Sequence, residues 1–193
     1  MRTIADHILD IASNSVTAGA AYIWLDIDHD PANHLFVFTV RDNGRGMDAD
    51  AHTRAFDPFF TTRPHSIRRF GLGLPFLKEN AELTGGGVDL WSASGEGTTL
   101  RATFHTDHID CLPCGDLAST IFVLLISDGA VQWHICRAEG DLSYTIDAEE
   151  LRAVFSPEEM SDPQAQLLLL EFLREQERDV VQDGGRQSGQ SGR

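Results

Sequence analysis

Apolar positions recur at helical spacing from the start of the chain. Ile4, His7–Ile8, Ile11–Ala12 and Ser15 fall on one face, so residues 3–17 predict an amphipathic helix in which His7 packs inward. Tyr22–Ile27 and Leu35–Val40 are β-rich and read as strands. Asp48–Phe56 predicts a short helix capped by Asp48, and Leu72–Leu83 a helix opening in a Gly-rich turn. Gly87–Trp91 and Thr98–Phe104 read as two more strands, joined by Ser94-Gly-Glu-Gly97. Helix, two strands, two helices and two strands predict an α+β two-layer sandwich for residues 1–104.

Beyond His105–Gly115 the pattern changes. Leu117–Ile126 is apolar throughout and fits either a helix or a buried strand. Val131–Arg137 and Leu142–Ile146 predict a hairpin across Ala138–Asp141. Asp147 is expected to cap a helix reaching Phe155, and Asp162-Pro163 one running to about Arg178. The cluster Leu167–Leu170 with Phe172–Leu173 is too apolar to be solvated all round, so that helix must dock on the first part or on a partner. The stretch 184–193 holds only Gly, Ser, Gln and Arg and is expected to be a disordered tail.

The chain has 193 residues, long enough to bury a core without disulfides. Its 15 basic and 30 acidic residues give a net charge of -15, which argues against nucleic acid or an anionic membrane as the main partner. The acidity is uneven: residues 1–104 carry 9 basic and 13 acidic residues, and 105–193 carry 6 and 17. That shift places a domain boundary near 105, with 105–183 as a small α+β docking or regulatory extension. The longest apolar run, Ile121–Ile126, is far short of a membrane span. With no basic-then-apolar leader and three cysteines, a soluble cytoplasmic protein is the expectation.

Four short segments can carry chemistry. Asp42-Asn-Gly-Arg-Gly-Met47 follows a strand; its carboxylate can accept from an exocyclic amine while glycines let a ring approach the backbone. Gly71-Leu-Gly-Leu74 opens a helix whose first N–H groups can face an anion. It has neither the Gly-Lys-Ser/Thr of a Walker loop nor the dinucleotide spacing. Gly95-Glu-Gly-Thr98 joins two strands, with Thr98 able to bond a base edge. Asp10 and Asn14 lie four apart and share a helix face, where an amide oxygen can ligate Mg²⁺ and a carboxylate can order a water. Singly, each also reads as an ordinary turn or a solvated helix face.

Together their order and spacing resemble the GHKL ATPases: gyrase, Hsp90-type chaperones, histidine kinases and MutL. The resemblance covers about the first 104 residues and implies the Bergerat ATP-binding fold, with ATP and Mg²⁺ as cofactors. By it, Asn14 is the Mg²⁺-binding asparagine, and Asp42, Gly44, Gly46 and Met47 form the first glycine box, with Asp42 holding the adenine amino group. Gly71, Leu72, Gly73 and Leu74 match the second glycine box, and Gly95–Thr98 the third. Phe56-Asp-Pro-Phe-Phe-Thr-Thr62 is similar to the F-box of sensor kinases, which brings Phe59, Thr61, Thr62 and Arg63 to the nucleotide. Thr61–Phe70 would be the lid, its Arg63, Arg68 and Arg69 able to reach phosphates or simply to keep a loop solvated.

The resemblance divides at the first helix. Asn14-Ser-Val-Thr-Ala-Gly-Ala20 looks more like the MutL-type motif, in which an acidic residue four before the asparagine is the general base. Asp10 stands there, one methylene shorter than the usual Glu. The chain starts directly at this helix, with no phosphoacceptor hairpin before it. The expectation is therefore a histidine-kinase-type ATP-binding domain that phosphorylates a separate partner. The alternatives are a MutL- or gyrase-like hydrolytic switch and a non-catalytic nucleotide sensor of anti-sigma type; a homo-oligomer is compatible with each. His105, His108, Cys111 and Cys114 are three apart, with Cys136 as a further candidate, but a single CxxC is an incomplete zinc pattern and ordinary linker residues are the expectation.

Overall fold

The computed structural model describes residues 1–58, 72–127, 130–156 and 159–187. In chain order the elements are α1 (Ile4–Thr17), β1 (Tyr22–Asp30), β2 (Leu35–Asp42), α2 (Ala49–Thr53), α3 (Gly73–Leu83), β3 (Gly87–Ala93) and β4 (Gly97–His105). There follow α4 (Leu117–Ser127), β5 (Gln132–Glu139), β6 (Leu142–Asp147), α5 (Ala148–Val154), a 3₁₀ turn (Glu159–Ser161) and α6 (Pro163–Gln187).

The strands form one mixed sheet in the order β3-β4-β2-β1-β5-β6. Every neighbouring pair is antiparallel except β1 with β5, which run parallel from Tyr22 opposite Gln132 to His29 opposite Glu139. Alternation decides the faces. Ile23, Leu25 and Ile27 of β1, Phe36, Phe38 and Val40 of β2, and Leu100, Ala102 and Phe104 of β4 are buried under the helices. Trp133 and Ile135 of β5 and Ile146 of β6 continue that inner face, so the second half of the chain extends the same sheet and core. The sheet's other face carries the exposed Tyr22, Arg41, Asp89, Trp91 and Arg101. The molecule is the α+β sandwich the pattern predicts.

The helices start for identifiable reasons. Thr3 caps α1: its Oγ1 accepts from Asp6 N–H at 3.0 Å, and Asp6 Oδ2 accepts from Thr3 N–H at 3.1 Å, a reciprocal capping box. Ile4 and Ala5 N–H donate to the carbonyls of Pro113 and Cys114, so a distant linker completes the start of α1. Asp48 caps α2, which ends at Thr53, short of the predicted Phe56. Leu117–Ser127 is a helix, capped by Asp116 through Ser119 N–H. Asp162 Oδ2 accepts from Gln164 and Ala165 N–H and starts α6 as expected. That helix runs on to Gln187 rather than stopping near Arg178, so residues 184–187 of the predicted tail are helical; 188–193 lie outside the described residues. Asp147 holds the N-cap position of α5, but its carboxylate engages His134 Nδ1 at 2.9 Å and makes no cap bond.

A buried polar cluster ties α6 to the far end of the sheet from β2's Asp42. Arg137 of β5, 2% exposed, bonds Glu139 and lies 3.4 Å from Glu177 of α6. Tyr144 donates to Glu177 at 2.6 Å, and His29 Nδ1 meets Glu139 Oε1 at 2.7 Å. Burial opposes ionisation of Glu139, yet the bonds from His29 and Arg137 outweigh it and hold its carboxyl below the ordinary range.

Candidate functional site

The end of β2 delivers Asp42 to the inner face, where it is 6% exposed. Ser15 Oγ of α1 donates to its Oδ2 at 2.6 Å and Gly44 N–H donates to its Oδ1 at 2.9 Å. A carboxylate oxygen has two lone pairs, so each keeps one for a further donor. The loop after Asp42 is tied down by its own polar groups. Asn43 Oδ1 accepts from Ala21 and Tyr22 N–H, and Arg45 N–H donates to Ala18 carbonyl at 3.1 Å.

The turn between β3 and β4 closes on this loop. Gly95 N–H donates to Arg45 carbonyl at 2.8 Å. Gly46 has φ +63°, and a Cβ there would lie 1.9 Å from Ala93 carbonyl oxygen, so only glycine lets the two segments meet. Met47 N–H donates to Ser92 Oγ at 2.9 Å, and Ser92 donates onward to Gly97 carbonyl. With that hydrogen committed, the 2.9 Å contact between Ser92 and Thr98 has Thr98 as donor, leaving the Thr98 oxygen to accept. Thr98 stands opposite Asp42 in the β2–β4 register. The first and third glycine segments are thus one polar floor.

The second glycine segment meets α1. Gly73 is the first residue of α3, and a Cβ on it would lie 2.0 Å from Asp10 Oδ2. Asp10 therefore rests directly against the start of α3, where the helix dipole favours negative charge. Asn14 lies one turn further along α1, half-buried. Leu72 is the N-cap of α3 without a side-chain bond, and Leu74 packs on the core. Phe59, Thr61, Thr62, Arg63, Arg68, Arg69 and Gly71, with the predicted lid, lie outside the described residues.

Behind these groups, His7 of α1 is fully buried and its Nε2 is 3.0 Å from Asn80 Nδ2 of α3. The amide nitrogen can only donate, so Nε2 accepts and the proton sits on Nδ1, which has no hydrogen-bond partner among the described residues. Burial pushes the imidazole down to about 4. Among the described residues no three His, Cys, Asp or Glu side chains group to hold a metal. Cys114 lies partly buried beside the Arg137 cluster, and desolvation pushes its thiol up to about 11.

Ser15 and Ser92 join the candidate site through their bonds to Asp42, Met47 and Thr98, and the motifs did not point to them. Ser15 follows Asn14 on the buried stripe of α1, and a serine among Ile and Ala was the available signal. Ser92 becomes visible only once register sets it opposite Thr98.

A model of the histidine kinase-, DNA gyrase B- and HSP90-like ATPases matches residues 2–108, and the chain belongs to this family. Sensor protein kinase PilS of Pseudomonas aeruginosa is 35% identical over 86 residues, 45% of this chain and 16% of its own length. Sensor kinase CckA of Brucella abortus is 31% identical over 131 residues, 60% of this chain and 14% of that protein. The chain thus spans a small part of these relatives. A solved structure titled as the N-terminal domain of a DNA repair protein superposes with a TM-score of 0.53 over 76% of this chain and 52% of that one, at 12% identity, a likeness of fold. No helix among the described residues is long and apolar enough to cross a membrane.

Proposed function

We propose that the floor built by Asp42, Thr98 and the glycine segments binds the adenine of ATP, that its phosphates extend toward the start of α3, and that the γ-phosphoryl passes to an acceptor on a separate protein. The observation that carries this reading is Asp42. It is a buried carboxylate held by two donors, with acceptor capacity left over, beside a hydroxyl that is itself poised to accept. That pairing suits an exocyclic amine.

Asn14 and Asp10 offer oxygen donors one turn apart, a set that fits Mg²⁺. When bound, the ion would neutralise phosphate charge. The residues of the chain position the phosphates; transfer forms a bond from phosphorus to the acceptor nitrogen of a partner's histidine, breaks the bond to the β-phosphate bridging oxygen and releases ADP. Residues 105–183, acidic and with Leu167, Leu168 and Phe172 exposed on α6, are the proposed docking or regulatory extension.

One observation favours a second reading. Asp10 lies against Gly73, where a carboxylate can order a water beside a phosphate, so hydrolysis that drives a switch is the alternative. Purified protein with Mg²⁺ and γ-labelled ATP separates the readings. Label on a partner fraction without steady phosphate release supports the kinase; steady release with no labelled protein supports the switch; tight binding with neither supports a sensor. Absence of ATP binding would overturn all three.

A further inference from the structure

α1 and α3 turn apolar side chains to the same core: Ile4, Ile8 and Ile11 on one helix, Leu77 and Ala81 on the other. Such faces leave sliding and rotation weakly specified, because dispersion has no direction. Among the described residues two further contacts lie on this pair. One is Asp10 against Gly73; the other is the 3.0 Å hydrogen bond from Asn80 to His7. His7 precedes Asp10 by one turn and Asn80 follows Gly73 by about two, so both contacts lie along the same helix pair.

The second contact is hard to explain by stability. His7 is 0% exposed and its Nδ1 proton has no acceptor among the described residues. A buried unpaired donor is destabilising, whereas an apolar pair of similar volume in both positions would be neutral or better. What a hydrogen bond supplies that an apolar pair does not is direction: Asn80 to His7 specifies one translation and one rotation of α1 on α3, and so the place at which Asp10 meets Gly73.

We propose that His7 and Asn80 are positioning residues whose hydrogen bond sets α1 against α3, so that Asp10 and Asn14 face the phosphate end of the nucleotide site. This rests on the nucleotide reading above. Neither residue touches the Asp42 floor, so the bond acts on phosphate recognition and leaves base recognition alone.

The test uses the full chain with two probes, Mg-ATP and adenosine, titrated by calorimetry, and a thermal melt of each variant. His7→Leu/Asn80→Leu replaces the polar pair by an apolar one. It is expected to melt at or above the wild type and to bind Mg-ATP about tenfold more weakly, the order of one lost hydrogen bond to a charged group, with adenosine affinity unchanged. Asn80→Ala, which adds no volume, is expected to show the same phosphate-selective loss. His7→Gln, whose side-chain oxygen can accept from Asn80, is expected to stay within about twofold of wild type. Unchanged Mg-ATP affinity in the double variant and Asn80→Ala overturns the inference, as does an equal loss for both probes. Wild-type protein that binds neither probe instead overturns the nucleotide reading itself.

Discussion

Asp42 shows how much one side chain can be required to do. It accepts from Ser15 and from Gly44 while 6% exposed, and both donors are fixed by other bonds of the fold. Asp42→Asn changes little in shape but removes the charge and turns one acceptor into a donor; the Ser15 hydroxyl must then turn to accept from it, and its own proton loses the carboxylate it bonds. An unsatisfied buried group of this kind costs about 1–3 kcal/mol. The variant is therefore expected to melt lower and to lose at least about tenfold in ATP affinity by calorimetry; retention of both would remove Asp42 from the site. His7 yields a pH prediction. Burial holds its folded imidazole neutral down to about 4, against an ordinary value of 6.5. As pH falls below 6.5 the unfolded chain takes up a proton that the folded one refuses, so stability is present above that value and is lost between pH 6.5 and 4. The loss is on the order of 3 kcal/mol. Urea midpoints across that range should fall in the wild type and fall much less in His7→Leu; parallel curves would refute the assignment.

The helix start at Gly73 carries the prediction at the scale of elements. Alanine is a better helix former than glycine by about 1 kcal/mol, and no positive φ is recorded at Gly73. The obstacle is the Asp10 carboxylate, 2.0 Å from the new Cβ. It is the end of a side chain, so it can turn away at small energetic cost. Gly73→Ala should thus melt within a few degrees of wild type while losing Mg-ATP affinity and turnover; a matching loss of stability would mean that the contact is structural. The same elements show what sequence makes legible. α1, β1 to β4 and α3 follow from periodicity, and the glycine segments mark where backbones must approach closely. Caps at Asp48 and Asp162 were readable because a carboxylate two or three residues before free N–H groups is a local relation. Asp147 was misleading because a cross-strand partner, His134, outcompeted its local role. Leu117–Ser127 stayed ambiguous because an all-apolar run has no period; its burial against α1 and α6 makes it a helix. Ser92 was invisible for the same reason that register is: pairing across strands is a non-local fact.

At the scale of the molecule, the family resemblance ends near residue 108 while the packing does not. The carbonyls that complete the start of α1 belong to Pro113 and Cys114. β1 sits in the middle of the sheet only because β5 pairs with it over eight residues, from Tyr22 to His29. Ile121, Leu124, Trp133, Ile135, Leu169 and Leu173 are all buried in the same core as Ile8 and Leu25. Of this only the docking of the Leu167–Leu173 cluster was legible, as one of two alternatives; a parallel pairing between segments so far apart leaves no local trace, and the acidity of residues 105–193 speaks of a surface rather than a core. A fragment of residues 1–108 would turn β1 into a bare edge and uncover the α4-facing side of α1. Each large apolar side chain returned to water forfeits about 1.5–3 kcal/mol, against a total stability of about 5–15 kcal/mol for a domain. Losing several such contacts leaves little margin, so the fragment is expected to lose its cooperative melt and, with α1 no longer held, its ATP binding. Thermal unfolding and an ATP titration of the fragment beside the full chain decide this. A sharp transition within a few degrees of the full chain, with ATP still bound, would mean that residues 109–187 are carried by the first part rather than needed by it. A broad or absent transition would mean that the extension holds in place the helix bearing Asp10 and Asn14, and that anything binding the extension acts on the nucleotide through α1.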